Sequence, residues 1–153
     1  MENIKWFCKR FKELEVSELY ELMKLRSEVF VVEQNCVYLD ADGKDEKSFH
    51  FYAMENNQII AYARLLPAGL SFNEASIGRV LTAPSQRRKG LGIILMEKCL
   101  AKTQEIFETT TIKIGGQLYL KSFYEGLGFV QCSDMYYEDG IPHIEMIFGK
   151  NDF

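Results

Sequence analysis

Between Glu74 and Phe107 the chain reads EASIGRVLTAPSQRRKGLGIILMEKCLAKTQEIF, and this stretch limits the available folds more than any other. It begins strand-like and ends, from Ile93, in an amphipathic helical pattern. Between the two lie three consecutive cations, Arg87, Arg88 and Lys89, and two glycines, Gly90 and Gly92. A strand that opens through glycines into a helix leaves several backbone N–H groups without intrahelical acceptors. The helix dipole adds about half a positive charge at that end. Such a turn is an anion site, and phosphate is its commonest occupant. Gly90 and Gly92 would let a phosphate approach the backbone with no Cβ in the way. The alternative is a plain glycine turn with solvated cations. G-x-x-x-x-G-K-[ST] and G-x-G-x-x-G are both missing here, which argues against nucleoside triphosphate and dinucleotide loops.

The rest of the chain fits an alternation of strands and helices. IKWFCKRF reads as a strand, and Ser17 as the cap of a helix beginning at Glu18. FHFYAME and QIIAYARLLP form a hairpin over an Asn-Asn turn. A helix is expected from about Gly90 to Phe107, with Ile93, Met96, Leu100 and Phe107 as its apolar face. TTTIKIGG is a strand, and QLYLKSFYEGL a short helix stopped by Gly128. FVQCSDMYYE and PHIEMIFG close the chain as two strands around Asp139-Gly140. The order βα-β-β-β-α-β-α-β-β is that of a mixed α/β sheet with helices packed on it. No repeat or linker divides the 153 residues, so residues 1–153 read as a single domain.

Composition narrows the function. A net charge of −4 argues against a nucleic-acid partner. No apolar run reaches the roughly 20 residues of a membrane helix, and MENIKWFCKRFKELE lacks a signal-peptide core. Cys8, Cys36, Cys99 and Cys132 show no CxxC pairing and read as reduced thiols of a cytoplasmic protein. The histidines form no H-x-x-x-H pattern, so no metal is expected.

Arg87-Arg88-Lys89-Gly90-Leu91-Gly92 fits the R-x-x-G-x-G/A pyrophosphate loop of the GCN5-related N-acetyltransferase (GNAT) superfamily. GGQLYLKSFYEGLGF resembles its second signature, a strand followed by a helix with Phe-Tyr and then Gly-Phe. RSEVFVVEQNCVYLDADGKDEKSFH, GRVLTAPSQRRKGLG and YYEDGIPHIEM resemble the ElaA-like branch across most of the chain. The resemblance implies a mostly antiparallel central sheet of about six to seven strands, with helices on both faces and splayed parallel strands in the middle. It implies an acetyl-CoA site. The pantetheine would lie between IGRVLT and TIKIGG, against the backbone of Val80, Leu81 and Thr82. Amides from Arg88 through Lys89, Gly90 and Leu91 to Gly92 would take the pyrophosphate, helped by Arg87, with Gln117 a further cofactor contact. The implied reaction is direct acetyl transfer, in a ternary complex, to a primary amine on a small molecule or peptide. A homodimer is the superfamily's expectation. The second reading is a CoA-binding regulatory or sensor module that keeps the fold without turnover.

Acetyl transfer needs a neutral amine, a donor to the thioester oxyanion and an acid for the departing thiolate. Tyr124 is the candidate acid, on the edge of a stripe formed by Tyr119, Leu120, Phe123 and Leu127. Glu33 and His143 are the candidate bases; an imidazole can take up a proton at neutral pH. Arg26 and Glu33 fall on the midline of the first helix's apolar stripe if that helix persists. A charge there must be paired or face a cavity. Arg26 therefore either pairs with Glu33 or the backbone, or helps roof the acceptor pocket. His50 reads as structural or pocket-lining. Arg64 and Arg79, inside apolar strands, either pair with carboxylates such as Glu33 or Glu74 or bind an anionic part of the substrate. The acidic loop YLDADGKDEK lacks the calcium-loop register and reads as solvated, near the acceptor entrance.

Overall fold

A computed structural model describes residues 3–149. Strand β1 (Lys5–Arg10) leads to helix α1 (Val16–Arg26), which continues as a π-helical segment, Ser27–Glu33. After an irregular loop come β2 (Phe49–Glu55), β3 (Gln58–Leu66) and β4 (Ser76–Thr82). Helix α2 (Leu91–Phe107) then leads to β5 (Ile112–Gln117), α3 (Lys121–Gly126), β6 (Val130–Gln131), β7 (Tyr136–Glu138) and β8 (Ile141–Phe148). Strands β1-β2-β3-β4 form one antiparallel sheet; β5-β8-β6 form a second, with β7 also paired to β8. The sheet is mixed and mostly antiparallel, as expected. It has eight strands among the described residues, because FVQCSDMYYE breaks into β6 and β7. Between them the Ser133 hydroxyl accepts the Glu145 N–H at 2.8 Å, a side chain standing in for a ladder carbonyl.

Among the described residues the two sheets are bridged by backbone pairing at one place. Ala75 and Ile112 form a parallel bridge, with the Lys113 N–H donating to the Ala75 carbonyl at 2.9 Å. Beyond it β4 and β5 make no further ladder pairs among the described residues, so the strands part as they run toward Thr82 and Gln117. A β-bulge accompanies the parting. Tyr62 pairs with Leu81 and Arg64 with Gly78, so Arg79 and Val80 together oppose Ala63. Arg79 has φ of 51°, and a bulge bends and twists its strand.

Alternation along β2 and β3 separates two cores. Phe51, Ala53, Ala61, Ala63 and Leu65 pack against Leu91, Leu95, Met96 and Cys99 of α2, together with Ile112, Ile114, Ile144 and Met146. Tyr52 and Tyr62 point to the opposite face and pack with Leu22, Leu25 and Val29 of α1 and its extension. Helices thus cover both faces.

Three local expectations are corrected. Helix α1 starts at Val16: Glu15 is its N-cap, and the Glu18 carboxylate accepts the Glu15 N–H at 2.8 Å, leaving Ser17 inside the first turn. The buried residues of α2 are Leu91, Leu95, Met96, Cys99, Leu100 and Thr103, so Met96 and Leu100 face the core as expected while Ile93 is 48% exposed. On α3 the buried residue is Tyr124 itself, while Tyr119, in the preceding turn, is 73% exposed.

Candidate active site

Where β4 and β5 part, they enclose a cleft of about 500 Å³. Its walls include Val80, Leu81 and Thr82 of β4, Gly115, Gly116 and Gln117 of β5, and Phe123 and Tyr124 of α3. Arg87 and Gly92 close the end at the start of α2. Gly90 caps that helix with φ of 77°, a left-handed conformation that glycine adopts at least cost. No side chain caps it. Among the described residues no protein acceptor takes the amides of residues 88–93; the first helical bond in this turn runs from Ile94 to Gly90. These donors, the helix dipole and the cations Arg88 and Lys89 make the strand-to-helix turn an anion cradle opening onto the cleft, while Arg87, expected to help hold the pyrophosphate, is paired with Glu33.

Tyr124 is held by its surroundings. Its ring packs edge-on against Phe123 and Phe129, with centroids 5.3 and 5.7 Å away. Gly116 leaves the space it needs, since a Cβ at 116 would come within 3.0 Å of the ring. The hydroxyl has no hydrogen-bond partner among the described residues, and burial pushes its pKa up to about 12. In the sequence the Gly115-Gly116 pair that admits Tyr124 only ends a strand-like run, with nothing nearby to mark the ring it accommodates.

His143 lies on the opposite wall, 7% exposed and stacked on Tyr136. Its Nδ1 is 2.7 Å from the Ile141 carbonyl, which can only accept, so Nδ1 carries the hydrogen. The basic Nε2 then stands 3.4 Å from the Glu138 carboxylate. Glu33 borders the cleft but is engaged: its carboxylate accepts both arms of the Arg87 fork, at 2.6 and 2.9 Å. Arg87 also holds the Glu33 carboxyl below its ordinary value. From the same segment, the Gln34 side chain accepts from Gln117 Nε2 at 3.1 Å.

The pairing expected between Arg26 and Glu33 does not occur. An i→i+5 helix turns each residue through less than the roughly 100° of an α-helix, so the π-helical segment carries Glu33 away from the Arg26 face. Arg26 is fully buried and borders neither cavity. It donates to Asp40 at 2.9 Å and to Asp45 at 2.7 Å. Arg64 and Arg79 likewise pair with neither Glu33 nor Glu74. Arg64 donates to Asp42 at 2.7 and 2.8 Å and to Asp45 at 2.9 Å; Arg79 donates to Asp40 at 2.8 Å. The acidic loop read as solvated is therefore clamped onto the sheet by three arginines, with Asp40 and Asp45 buried. Isolated burial of so many charges would be prohibitive; mutual pairing makes it tolerable. His50 belongs to this cluster and not to a pocket. Its Nε2 donates to the Asp45 carbonyl at 2.9 Å, and its Nδ1 accepts from the Tyr62 hydroxyl at 2.7 Å. Burial lowers its pKa and keeps it neutral.

A second cavity, of about 600 Å³, adjoins the cleft, with Tyr38, Arg79, Gly115, Glu138 and Asp139 lining both. Three thiols are poor nucleophiles: burial pushes Cys8 up to about 11 and raises Cys99 as well, while the Cys36 thiol donates to the Asp139 carbonyl.

A sequence model of the acetyltransferase (GNAT) domain matches residues 15–149. Protein ElaA of Escherichia coli is 39% identical over 145 residues, which cover 94% of this chain and 95% of that protein. The crystal structure of ElaA superposes with a TM-score of 0.88 at 38% identity, covering 95% of this chain and 99% of the other. An acyl-CoA N-acyltransferase from Pseudomonas aeruginosa superposes with a TM-score of 0.90 at 39% identity and the same coverage.

Proposed function

The chain belongs to the acetyltransferase (GNAT) family, and from that premise we propose that it transfers the acetyl group of acetyl-CoA to a primary amine, by direct attack within a ternary complex. One observation carries this reading. The cleft between the parted strands runs from a set of amides at the start of α2 that no protein group accepts from to a buried tyrosine whose hydroxyl has no protein partner among the described residues. The residues present fit the cofactor. Amides of residues 88–92 would hold the pyrophosphate, with Arg88 and Lys89 adding charge. The free edge of β4 at Val80, Leu81 and Thr82 would pair with the pantetheine amides. When bound, acetyl-CoA supplies the activated acyl carbon.

In this reading His143 Nε2 takes the proton of the incoming ammonium, and the neutral amine attacks the thioester carbon. A β4 amide near Leu81 donates to the developing oxyanion. Tyr124, which lines the cleft, would face the departing sulfur. With its pKa near 12, well above the roughly 8.5 of an alkyl thiol, the hydroxyl stabilises the thiolate by a hydrogen bond rather than by early proton transfer. Glu33 is the weaker base candidate because Arg87 occupies its carboxylate. A cytoplasmic location is part of the proposal; among the described residues no helix is long and apolar enough to cross a membrane.

Calorimetric titration with acetyl-CoA tests the cofactor, and absence of binding up to millimolar ligand rejects the proposal. Tyr124→Phe is expected to lower kcat about 10²-fold, within the range for a positioned proton donor, with little change in acetyl-CoA affinity. An unchanged kcat removes Tyr124 from the mechanism. Tight acetyl-CoA binding without thiol release across a broad amine panel would favour a sensor module.

A further inference from the structure

The second cavity bears on which amine the protein accepts, an inference that rests on the acetyltransferase reading above. Three cations line it, Lys44, Arg64 and Arg79. The two arginines lie deeper, and both are neutralised by Asp40, Asp42 and Asp45. A substrate carboxylate would have to displace a buried aspartate to reach either one. Lys44 donates to the Ser71 hydroxyl at 2.9 Å, a neutral partner that leaves its charge in place on the exposed side of the cavity. The carboxylates are disposed differently. Asp42 is taken by Arg64, and Glu145 by Lys113 at 3.0 Å. Glu138 and Asp139 have no cationic lysine or arginine partner among the described residues. Both stand where the cavity meets the cofactor cleft. The β7–β8 turn, with Asp139 at φ of 51° and Gly140 at 78°, sets them there.

Beside them His143 is more than nine-tenths buried. Its Nδ1–H is fixed on Ile141, so Nε2 is the nitrogen left to exchange a proton, and it stands 3.4 Å from Glu138 Oε2. A proton carried at Nε2 is paired with the Glu138 carboxylate.

We propose that the acceptor is an aliphatic amine carrying a second positive charge, drawn in through the second cavity by Glu138 and Asp139, and that Glu138 also positions His143. The reacting ammonium gives one proton to His143 Nε2. The new C–N bond forms as the C–S bond breaks. The sulfur leaves as thiolate beside Tyr124, and the second proton of the nitrogen passes to solvent. Glu138 and Asp139 supply negative charge that an amine with two charges can satisfy and an amino acid cannot.

Three acceptors of matched length test this in the full chain with acetyl-CoA and a thiol readout: 1,5-diaminopentane, pentylamine and 5-aminopentanoate. The expected kcat/KM is about tenfold higher for the diamine than for pentylamine, the worth of one charge-assisted hydrogen bond, and lower again for the aminopentanoate. Glu138→Gln, at a side chain 61% exposed, keeps the shape and should bring diamine and pentylamine within about twofold. Asp139→Asn should narrow the ratio in the same direction. A preference for 5-aminopentanoate, a diamine preference untouched by both variants, or no turnover of any of the three despite calorimetric acetyl-CoA binding overturns the inference and leaves the acetyltransferase reading standing. Failure to bind acetyl-CoA would remove that reading itself.

Discussion

A methyl group at position 116 would lie 3.0 Å from one carbon of the Tyr124 ring and 3.3 Å from another. At residue scale this is the tightest constraint on the chemistry, because the ring has Phe123 and Phe129 on its other sides and little room to retreat. Gly116→Ala is therefore expected to lower kcat by about tenfold or more through displacement of the Tyr124 hydroxyl, while acetyl-CoA affinity stays within about twofold. A proportionate loss of affinity would show that the substitution closes the cleft instead. Tyr124 was legible as a candidate from its place in the Phe-Tyr helix. The glycine that admits it was not, since strand glycines look alike until the partner ring is located. Glu138 was likewise unremarkable in sequence, an acidic residue before a turn; its meaning comes from His143 across the β7–β8 pair.

At the scale of elements, the loop from Tyr38 to Ser48 and the π-helical segment before it decide what the cleft looks like. Asp40, Asp42 and Asp45 bind the loop to Arg26 on α1, Arg64 on β3 and Arg79 at the bulge of β4. Asp45→Asn removes one partner from a buried cluster and is expected to cost about 3–5 kcal/mol. The arginines hold the Asp42 and Asp45 carboxyls below the usual carboxylate value. Groups with a depressed folded pKa contribute stability that is complete above the unfolded value, near 4, and lost as pH falls toward the folded one. The difference in melting temperature between wild type and Asp45→Asn should thus be constant from about pH 7 to 5 and shrink below pH 4. A difference that grows on acidification would contradict the ion-pair account. Sequence showed that strand arginines need partners. It could not choose among carboxylates distant in the chain, and the α-helical wheel failed past Arg26 because the helix changes its period there.

At the scale of the molecule, two hydrogen-bonded sheets share a single core beneath α2: Ala63 and Ile77 of the first sheet and Ile114 and Met146 of the second lie in one buried cluster with Leu95. The gap that forms the cleft is held open by a common core and not by a hinge between independent units. Leu95→Ala, at a fully buried position, is expected to lower stability by about 2–5 kcal/mol. It should do so within one cooperative transition, monitored together by far-ultraviolet circular dichroism and Trp6 fluorescence. Separate melting of the two probes would argue for two folding units.

Local chemistry was written in the chain: alternating strands, an amphipathic α2 behind a cationic glycine turn, and a tyrosine on a short helix, all properties of neighbouring residues. Long-range pairing was decided only by the folded molecule. The parting of β4 and β5 past Ala75 and Ile112, the capture of three arginines by one acidic loop, the engagement of Glu33 by Arg87 and the facing of His143 and Glu138 join residues far apart in sequence or set by a turn. Periodicity reports which side of an element is buried, while electrostatic partners are selected by distance in three dimensions, which periodicity does not encode.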